Sequence, residues 1–415
     1  MNVEVINTGT ELLLGNVINS HLAFFGRELF PLGLRISRQV TVPDGDAIRE
    51  ALIESFARAE IVLVTGGLGP TTDDLTREIT SELLGLELLH DEGVMSAIEA
   101  RFARRNIQIT ERIQRQAKVP RGATVLANPN GTAPGLYFNL AAAGARLPAS
   151  SAIRHLFLLP GPPRELKPMF SELVVPILKN ALPGGEIPEC RTYRIAGLGE
   201  SNVEALVGER LLGIDGIELG YCARPGEVDL RIIGLGPVLE RAEAVVLDVL
   251  KPHIVSQDNR SLEEVVVRSL ASRKETLAVA ESCTGGFLAH RITNVPGASQ
   301  VFAGGFVTYA NAMKTRELQV DAALIAEQGA VSALVASAMA EGAARISGTD
   351  YALSTTGIAG PSGGSPEKPV GTVFIALAFK NGKTIVQKHQ FPTDRENFKW
   401  LASQAALDLL RRSLS

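Results

Sequence analysis

The chain has 415 residues, 45% of them apolar, and its 41 Lys and Arg nearly balance 45 Asp and Glu for a formal net charge of -4. At about 100 to 200 residues per domain this length predicts two or three domains with enough apolar side chains to fill their cores. The balanced charge excludes a sequence-wide attraction to nucleic acid or an anionic membrane, and three scattered cysteines, Cys190, Cys222 and Cys283, exclude a disulfide framework.

The start, Met1-Asn2-Val3-Glu4, has neither a basic n-region nor an apolar h-region, and no uncharged apolar run approaches the roughly 18 to 20 residues of a membrane span, so a cytoplasmic location is expected. Residues 1–180 form the first domain, whose first 90 or so residues alternate short apolar strands with amphipathic helices. Val3, Val5 and Ile6 open a strand, and Leu22, Phe25, Leu29 and Phe30 share one face of a helix with Asn19 and Ser20 as possible caps. Ile48, Ala51, Leu52 and Phe56 repeat that spacing. The run Ile61 to Val64 ends in Gly66-Gly67, as expected of a buried parallel strand feeding a ligand-binding loop at its carboxyl edge. The basic stretch around Arg101, Arg104 and Arg105 reads as one solvated helix face.

Two segments of this region carry chemistry: Thr8-Gly9-Thr10-Glu11 after the first strand, and Thr65-Gly66-Gly67-Leu68-Gly69-Pro70-Thr71-Thr72-Asp73-Asp74 after a later one. Gly66, Gly67 and Gly69 permit close backbone approach to phosphate oxygens, while Glu11, Asp73 and Asp74 could hold a hard divalent cation. The same residues also read as a helix cap ahead of Leu75 and Ile79, with Glu11 paired to a neighbour.

Leu182-Pro183-Gly184-Gly185 reads as a linker, placing a boundary near residue 180. Residues 181–256 form a small α+β module, with a capping box Ser201/Glu204 ahead of a helix carrying Val203, Leu206, Val207 and Leu211, and a strand through Val228, Leu230 and Ile232. Residues 257–415 form the last domain. It begins with a capping box, Ser261 and Glu264, and has strands at about 276 to 281, 301 to 309, 350 to 356, 371 to 379 and 384 to 391. Asn381-Gly382 predicts a type I′ hairpin between the last two.

Three strand ends of this domain carry functional groups. Ala280-Glu281-Ser282-Cys283-Thr284-Gly285-Gly286 runs from a strand into a helix, a junction that exposes a hydroxyl or thiol where helix N–H groups face an anion, unless Ser282 and Thr284 merely cap the helix. Thr308-Tyr309-Ala310-Asn311-Ala312-Met313-Lys314 and Thr355-Thr356-Gly357-Ile358-Ala359-Gly360-Pro361 end two others, and the string from Gly360 to Val373 is far more specific than a lone glycine motif. On these strings the domain resembles the nicotinamide mononucleotide deamidase domain of the CinA family.

The resemblance implies hydrolysis of the carboxamide of nicotinamide mononucleotide to nicotinic acid mononucleotide and ammonia, without a cofactor. It implies Ser282 as nucleophile, Lys314 as its general base and Tyr309 hydrogen-bonded to the pair, with Cys283, Thr284, Gly285, Gly286, Asn311, Thr356, Gly357 and Gly360 around the substrate. A Ser-Lys pair needs no histidine, but the lysine must be neutral, so its pKa has to fall well below the ordinary lysine range. The oxyanion would be held by N–H groups near Cys283 and Thr284 or in the Gly357 loop, and Cys283 is the rival nucleophile. Lys399 stands where the family pattern has an arginine.

The amino-terminal segments, with Asn130-Gly131-Thr132-Ala133-Pro134-Gly135 and Leu159-Pro160-Gly161-Pro162-Pro163, also resemble the CinA family. Its first domain is similar to molybdopterin-binding folds, a three-layer α/β/α arrangement. This implies an ADP-ribose pyrophosphatase using Mg²⁺, Mn²⁺ or Co²⁺ at Glu11, Asp73 and Asp74, with Asn19, Gly66, Gly67, Gly69 and Thr71 on the substrate. His21 stands where a second Asn is expected. The middle module resembles the KH-like domain of the family. Gly197 and Gly199 do not make the GXXG loop that clamps a nucleic-acid backbone, so it reads as structural. A homodimer is implied. The competing class is a protein that binds a pterin or nucleotide without turnover and regulates competence or recombination.

Overall fold

The computed structural model describes residues 1–103, 108–140, 147 and 151–414, which fall into two compact units, Met1–Ile187 and Pro188–Ser415. Arg104 and Arg105 of the expected solvated helix face lie outside the described residues. Arg101 itself is not merely solvated, because its guanidinium donates to the carbonyls of Pro129 and Asn130 at 2.8 and 2.7 Å.

The first unit is built on a six-stranded sheet. Strands Arg35–Val42, Asn2–Thr8, Ile61–Thr65 and His155–Leu159 are adjacent and parallel, and Gly135–Asn139 and Thr124–Leu126 continue the sheet antiparallel. Successive side chains of a strand point to opposite faces, so each buried strand feeds two cores. Ile6, Val62, Val64 and Leu158 pack with Ile48, Leu52 and Phe56 of helix Ala47–Arg58, while Val3, Val5, Leu63 and Leu159 pack with Phe25 and Leu29 of helix His21–Leu29. Helices thus cover both faces, as a three-layer arrangement requires. On His21–Leu29 the buried positions are His21, Phe24, Phe25 and Leu29, whereas Leu22, expected on the inner face, is exposed.

In the second unit, residues 189–256 form an antiparallel sheet ordered Glu218–Arg224, Glu227–Gly234, Glu189–Ala196, Ile254–Ser256. Its single core takes Val203, Val207 and Leu211 from helix Glu200–Leu212 and Leu239, Val246 and Leu250 from helix Gly236–Leu250. The expected Ser201/Glu204 box does not form. The helix starts at Glu200 behind Gly199, two residues earlier than the box needs, and has no side-chain cap. By contrast Ser261 and Glu264 make both bonds of theirs.

The last domain carries a five-stranded sheet ordered Phe302–Val307, Leu277–Glu281, Tyr351–Gly357, Thr372–Phe379, Thr384–Gln390, the first three parallel and the rest antiparallel. One face is lined by large side chains, Val279, Leu353 and Ile375 among them, under helices Leu262–Arg273 and Arg395–Ser413. The other is lined by Ala278, Ala280, Ala352, Ala376 and Ala378, which lets the alanine-rich helix Ala333–Ser347 approach closely. The final hairpin is not type I′: only Gly382 of its turn is left-handed, Gly382 N–H donates to the Phe379 carbonyl, and Phe379 N–H to that of Lys383. That is a type I turn closed by a glycine bulge.

Close approach recurs where helix Asn311–Leu318 meets helix Ala333–Ser347, since a methyl group on Gly342 would collide with the carbonyl oxygen of Leu318. Gly342→Ala should therefore push these helices apart and cost about 1 to 3 kcal/mol. A thermal melt of the purified variant checks this, and an unchanged midpoint would contradict the close contact.

Candidate active site

Strand Leu277–Glu281 is buried at every position and delivers its chain into the turn Ser282 to Gly286. Gly285 and Gly286 have φ of 60° and 93°, left-handed values that side-chain-bearing residues rarely adopt, and they let the chain reverse into helix Phe287–Thr293. Ser282 is pinned at the apex: its N–H donates to the Thr355 carbonyl at 2.9 Å, and its carbonyl accepts from Gly285 N–H at 3.2 Å.

Lys314 is brought to this apex from a different element than expected. The neighbouring strand ends at Val307, and Lys314 lies in the first turn of helix Asn311–Leu318. Only 1% of it is exposed. Its Nζ lies 3.1 Å from Ser282 Oγ, 2.9 Å from the Thr308 carbonyl and 3.3 Å from the Tyr309 carbonyl. Burial away from water disfavours the charged form and holds the amine below the ordinary lysine range. In the neutral form its two hydrogens match the two carbonyls and its lone pair is left for the Ser282 hydroxyl.

Tyr309 touches the pair through its main chain. The expectation that its side chain bonds the pair is corrected: the phenol is exposed and accepts from Arg395 Nη2 at 2.6 Å, while Arg395 Nη1 donates to the Gly360 carbonyl at 3.1 Å. Arg395, from the start of helix Arg395–Ser413, thus links the tyrosine to the glycine loop. Lys399 lies instead over the Phe287 ring, 5.6 Å from its centroid. The arginine that reaches this site is therefore Arg395, four residues before Lys399 and one turn earlier on the same helix.

The rival nucleophile is sealed. Cys283 sits in the apolar core, and burial pushes its thiol up to about 12, so no thiolate is available near neutrality. Thr284 exchanges a hydroxyl bond with Thr355 at 2.7 Å, and Thr356 donates to the Ala330 carbonyl at 2.7 Å, so both side chains are occupied in holding the strands. Gly357 lies against Thr372 and Val373 of the adjacent strand, and Asn311 is exposed at the start of its helix. The expectation that helix N–H groups face an anion is also corrected, because those of Gly286, Leu288 and Ala289 are taken by the Glu281 carboxylate. Among the described residues neither the Cys283 nor the Thr284 N–H donates to a main-chain acceptor.

In the first unit, Glu11, Gly66, Gly67, Gly69, Asp73 and Asp74 line one cavity of about 370 Å³, beyond the strand ends where parallel sheets bind ligands. Asp44, Gln116 and Glu165 line it too, from segments with no local motif. Glu165 accepts from Asn128 at 2.9 Å and packs against Gly131, where a methyl group would overlap its carboxylate. Thr71 is turned to Asp74, donating its N–H at 2.9 Å and its hydroxyl. Asn19 accepts from His21 N–H at 3.0 Å, and loss of water lowers the pKa of the buried His21 ring, disfavouring its charged form. Among the described residues no three His, Cys, Asp or Glu side chains converge as a preformed metal-ligand set. Carboxylates offered singly still suit Mg²⁺ when phosphate oxygens complete its shell.

A molybdopterin-binding-like α/β domain, a KH-like module and an α/β domain with a buried Ser-Lys pair define a three-part protein. Family models match each in turn: the probable molybdopterin binding domain over residues 4–180, the damage-inducible protein CinA KH domain over 190–252 and the CinA C-terminal domain over 259–414. The chain belongs to the CinA family. It is 47% identical over 407 residues to a CinA-like protein of Akkermansia muciniphila, covering 98% of this chain and 96% of that one. A CinA-like protein of Dictyoglomus thermophilum is 39% identical over 422 residues, covering 100% and 99% of the two chains. Among solved structures, the competence/damage inducible protein CihA from Agrobacterium tumefaciens is 36% identical, covers 36% of this chain and 94% of its own, and has a TM-score of 0.35. Among the described residues no helix is long and apolar enough to cross a membrane.

The burial pattern predicts a thiol count. A bulky thiol reagent should label two thiols in the native protein, Cys190 and Cys222, and a third only after unfolding. Rapid native labelling of Cys283 would contradict its seclusion.

Proposed function

We propose that the last domain is a serine amidohydrolase that deamidates nicotinamide mononucleotide in the cytoplasm. The observation that carries this reading is the 3.1 Å contact between Ser282 Oγ and a buried amine that, among the described residues, has no carboxylate partner. A pure binding site has no use for that pair. The Ser282 oxygen attacks the carboxamide carbon while its proton passes to Lys314 Nζ, and the N–H groups of Cys283 and Thr284 receive the developing oxyanion. Lys314 then returns the proton to the departing nitrogen, and ammonia leaves an acyl ester on Ser282. Water attacks that ester with Lys314 again accepting the proton, Lys314 returns it to Ser282 Oγ as the ester bond breaks, and the nicotinic acid product departs with the hydroxyl and the neutral amine restored. Arg395, exposed beside Tyr309 and Gly360, supplies a planar cation suited to the 5′-phosphate.

For the first domain the same reading assigns hydrolysis of ADP-ribose to AMP and ribose 5-phosphate. Glu11, Asp73 and Asp74 would hold Mg²⁺, Mn²⁺ or Co²⁺ together with the substrate's own phosphates, and the metal would supply charge neutralisation at the bridging oxygen. The glycines of Gly66 to Gly69 leave room for those oxygens. The family resemblance adds a homodimeric assembly to the proposal.

Ammonia release from nicotinamide mononucleotide is the test of the first activity. Ser282→Ala and Lys314→Arg should each lower kcat by roughly a thousandfold or more, because arginine cannot become neutral, while Cys283→Ala stays within about threefold of the parent. kcat/KM should be lost as pH falls through the lowered Lys314 pKa, since protonation removes the base. Loss of activity in Cys283→Ala with retention in Ser282→Ala would overturn the assignment. For the first domain, AMP formation from ADP-ribose should require a divalent metal and fall in Asp74→Asn. Binding of ADP-ribose without turnover under every metal would leave a nucleotide-binding domain.

A further inference from the structure

We propose that Glu281 is a positioning residue for the nucleophile, a staple that sets the oxyanion donors beside Ser282; the inference rests on the amidohydrolase reading above. Glu281 is fully buried and stands one residue before Ser282. A helix begins with N–H groups that lack intrahelical partners, and these are usually met by the side chain of the residue just ahead of the helix. Here that residue is Gly286, which has no side chain to offer. The Glu281 carboxylate replaces it from the other side of the turn. One oxygen accepts from Gly286 and Leu288 N–H, both at 3.0 Å, and the other from Ala289 N–H at 2.8 Å.

The consequence is geometric. The turn Ser282 to Gly285 is closed at its strand end by main-chain bonds and at its helix end by this carboxylate. Glu281 also reaches the base, because its carbonyl accepts from Thr308 N–H at 2.8 Å and the Thr308 carbonyl accepts from Lys314 Nζ at 2.9 Å. One residue therefore connects the mounting of the nucleophile, the base and the turn that carries the Cys283 and Thr284 N–H groups. With three helix N–H groups consumed, those two remain for the oxyanion. Glu281 touches no reacting atom in this arrangement, and its effect passes through the turn.

Glu281→Gln is nearly isosteric, but its NH₂ must face at least one N–H donor whichever way the amide lies. The expected result is a kcat lowered about a hundredfold or more, with KM and the Kd for nicotinamide mononucleotide, measured in a Ser282→Ala background, within about threefold. The acid limb of the pH profile should keep its position, since Lys314 keeps its burial. A general loosening would shift KM and that limb together with kcat. If Glu281→Gln does not fold, Glu281→Asp, which keeps the charge and shortens its reach, is measured in the same way. A folded variant with kcat near the parent, or with the loss confined to KM, overturns the proposal, as does failure of both variants to fold, which would make the role purely structural. If the parent enzyme releases no ammonia, the amidohydrolase reading fails instead, and that outcome is distinct from the others.

Discussion

The organising constraint of the last domain is the burial of the Lys314 amine. An ammonium group taken out of water needs a compensating charge, and no carboxylate bonds it among the described residues; its partners are one hydroxyl and two carbonyls. Burial therefore shifts the group towards the neutral form, and neutrality turns a surface cation into a base. The adjoining structure serves that end. The alanine face of the sheet lets helix Ala333–Ser347 lie close, Gly342 brings that helix against the carboxyl end of the helix bearing Lys314, and the amine is sealed beneath the turn that carries Ser282.

The site of the first unit follows a different logic. Its cavity lies beyond parallel strand ends, is formed by glycine-rich turns and is bordered by carboxylates that, among the described residues, do not converge on one point. The last domain presents a hydroxyl and an amine already in contact, whereas the first presents an open cavity bordered by glycines and carboxylates. The nucleotide diphosphate proposed for it would bring both the oxygens and the need for a cation.

Much of the architecture is legible from local pattern. The buried run Ile61 to Val64, the capping box at Ser261 and the strand-to-helix junction at Ser282 announce themselves because neighbouring residues determine them. Misreadings arise where one local signal competes with another. Ser201 and Glu204 have the spacing of a capping box, yet the helix begins at Glu200, and Asn381-Gly382 suits a type I′ turn but forms a bulged one. The remaining site residues depend on tertiary placement. Arg395 meets Tyr309 across 86 positions, Glu165 meets Asn128 across 37, and Asp44 and Gln116 reach their cavity from unremarkable segments, so no window of sequence brings them together. Glu281 was in plain view within the motif, but its role depends on a helix whose cap position holds a glycine.

The protonation state of Lys314 can be observed without turnover. In a side-chain NMR titration of protein carrying isotope-labelled lysine, with Lys314→Arg used to assign the signal, the Lys314 amine should titrate below the other lysines and be neutral where the enzyme works. A Lys314 signal that stays protonated until the surface lysines lose their protons would contradict the account.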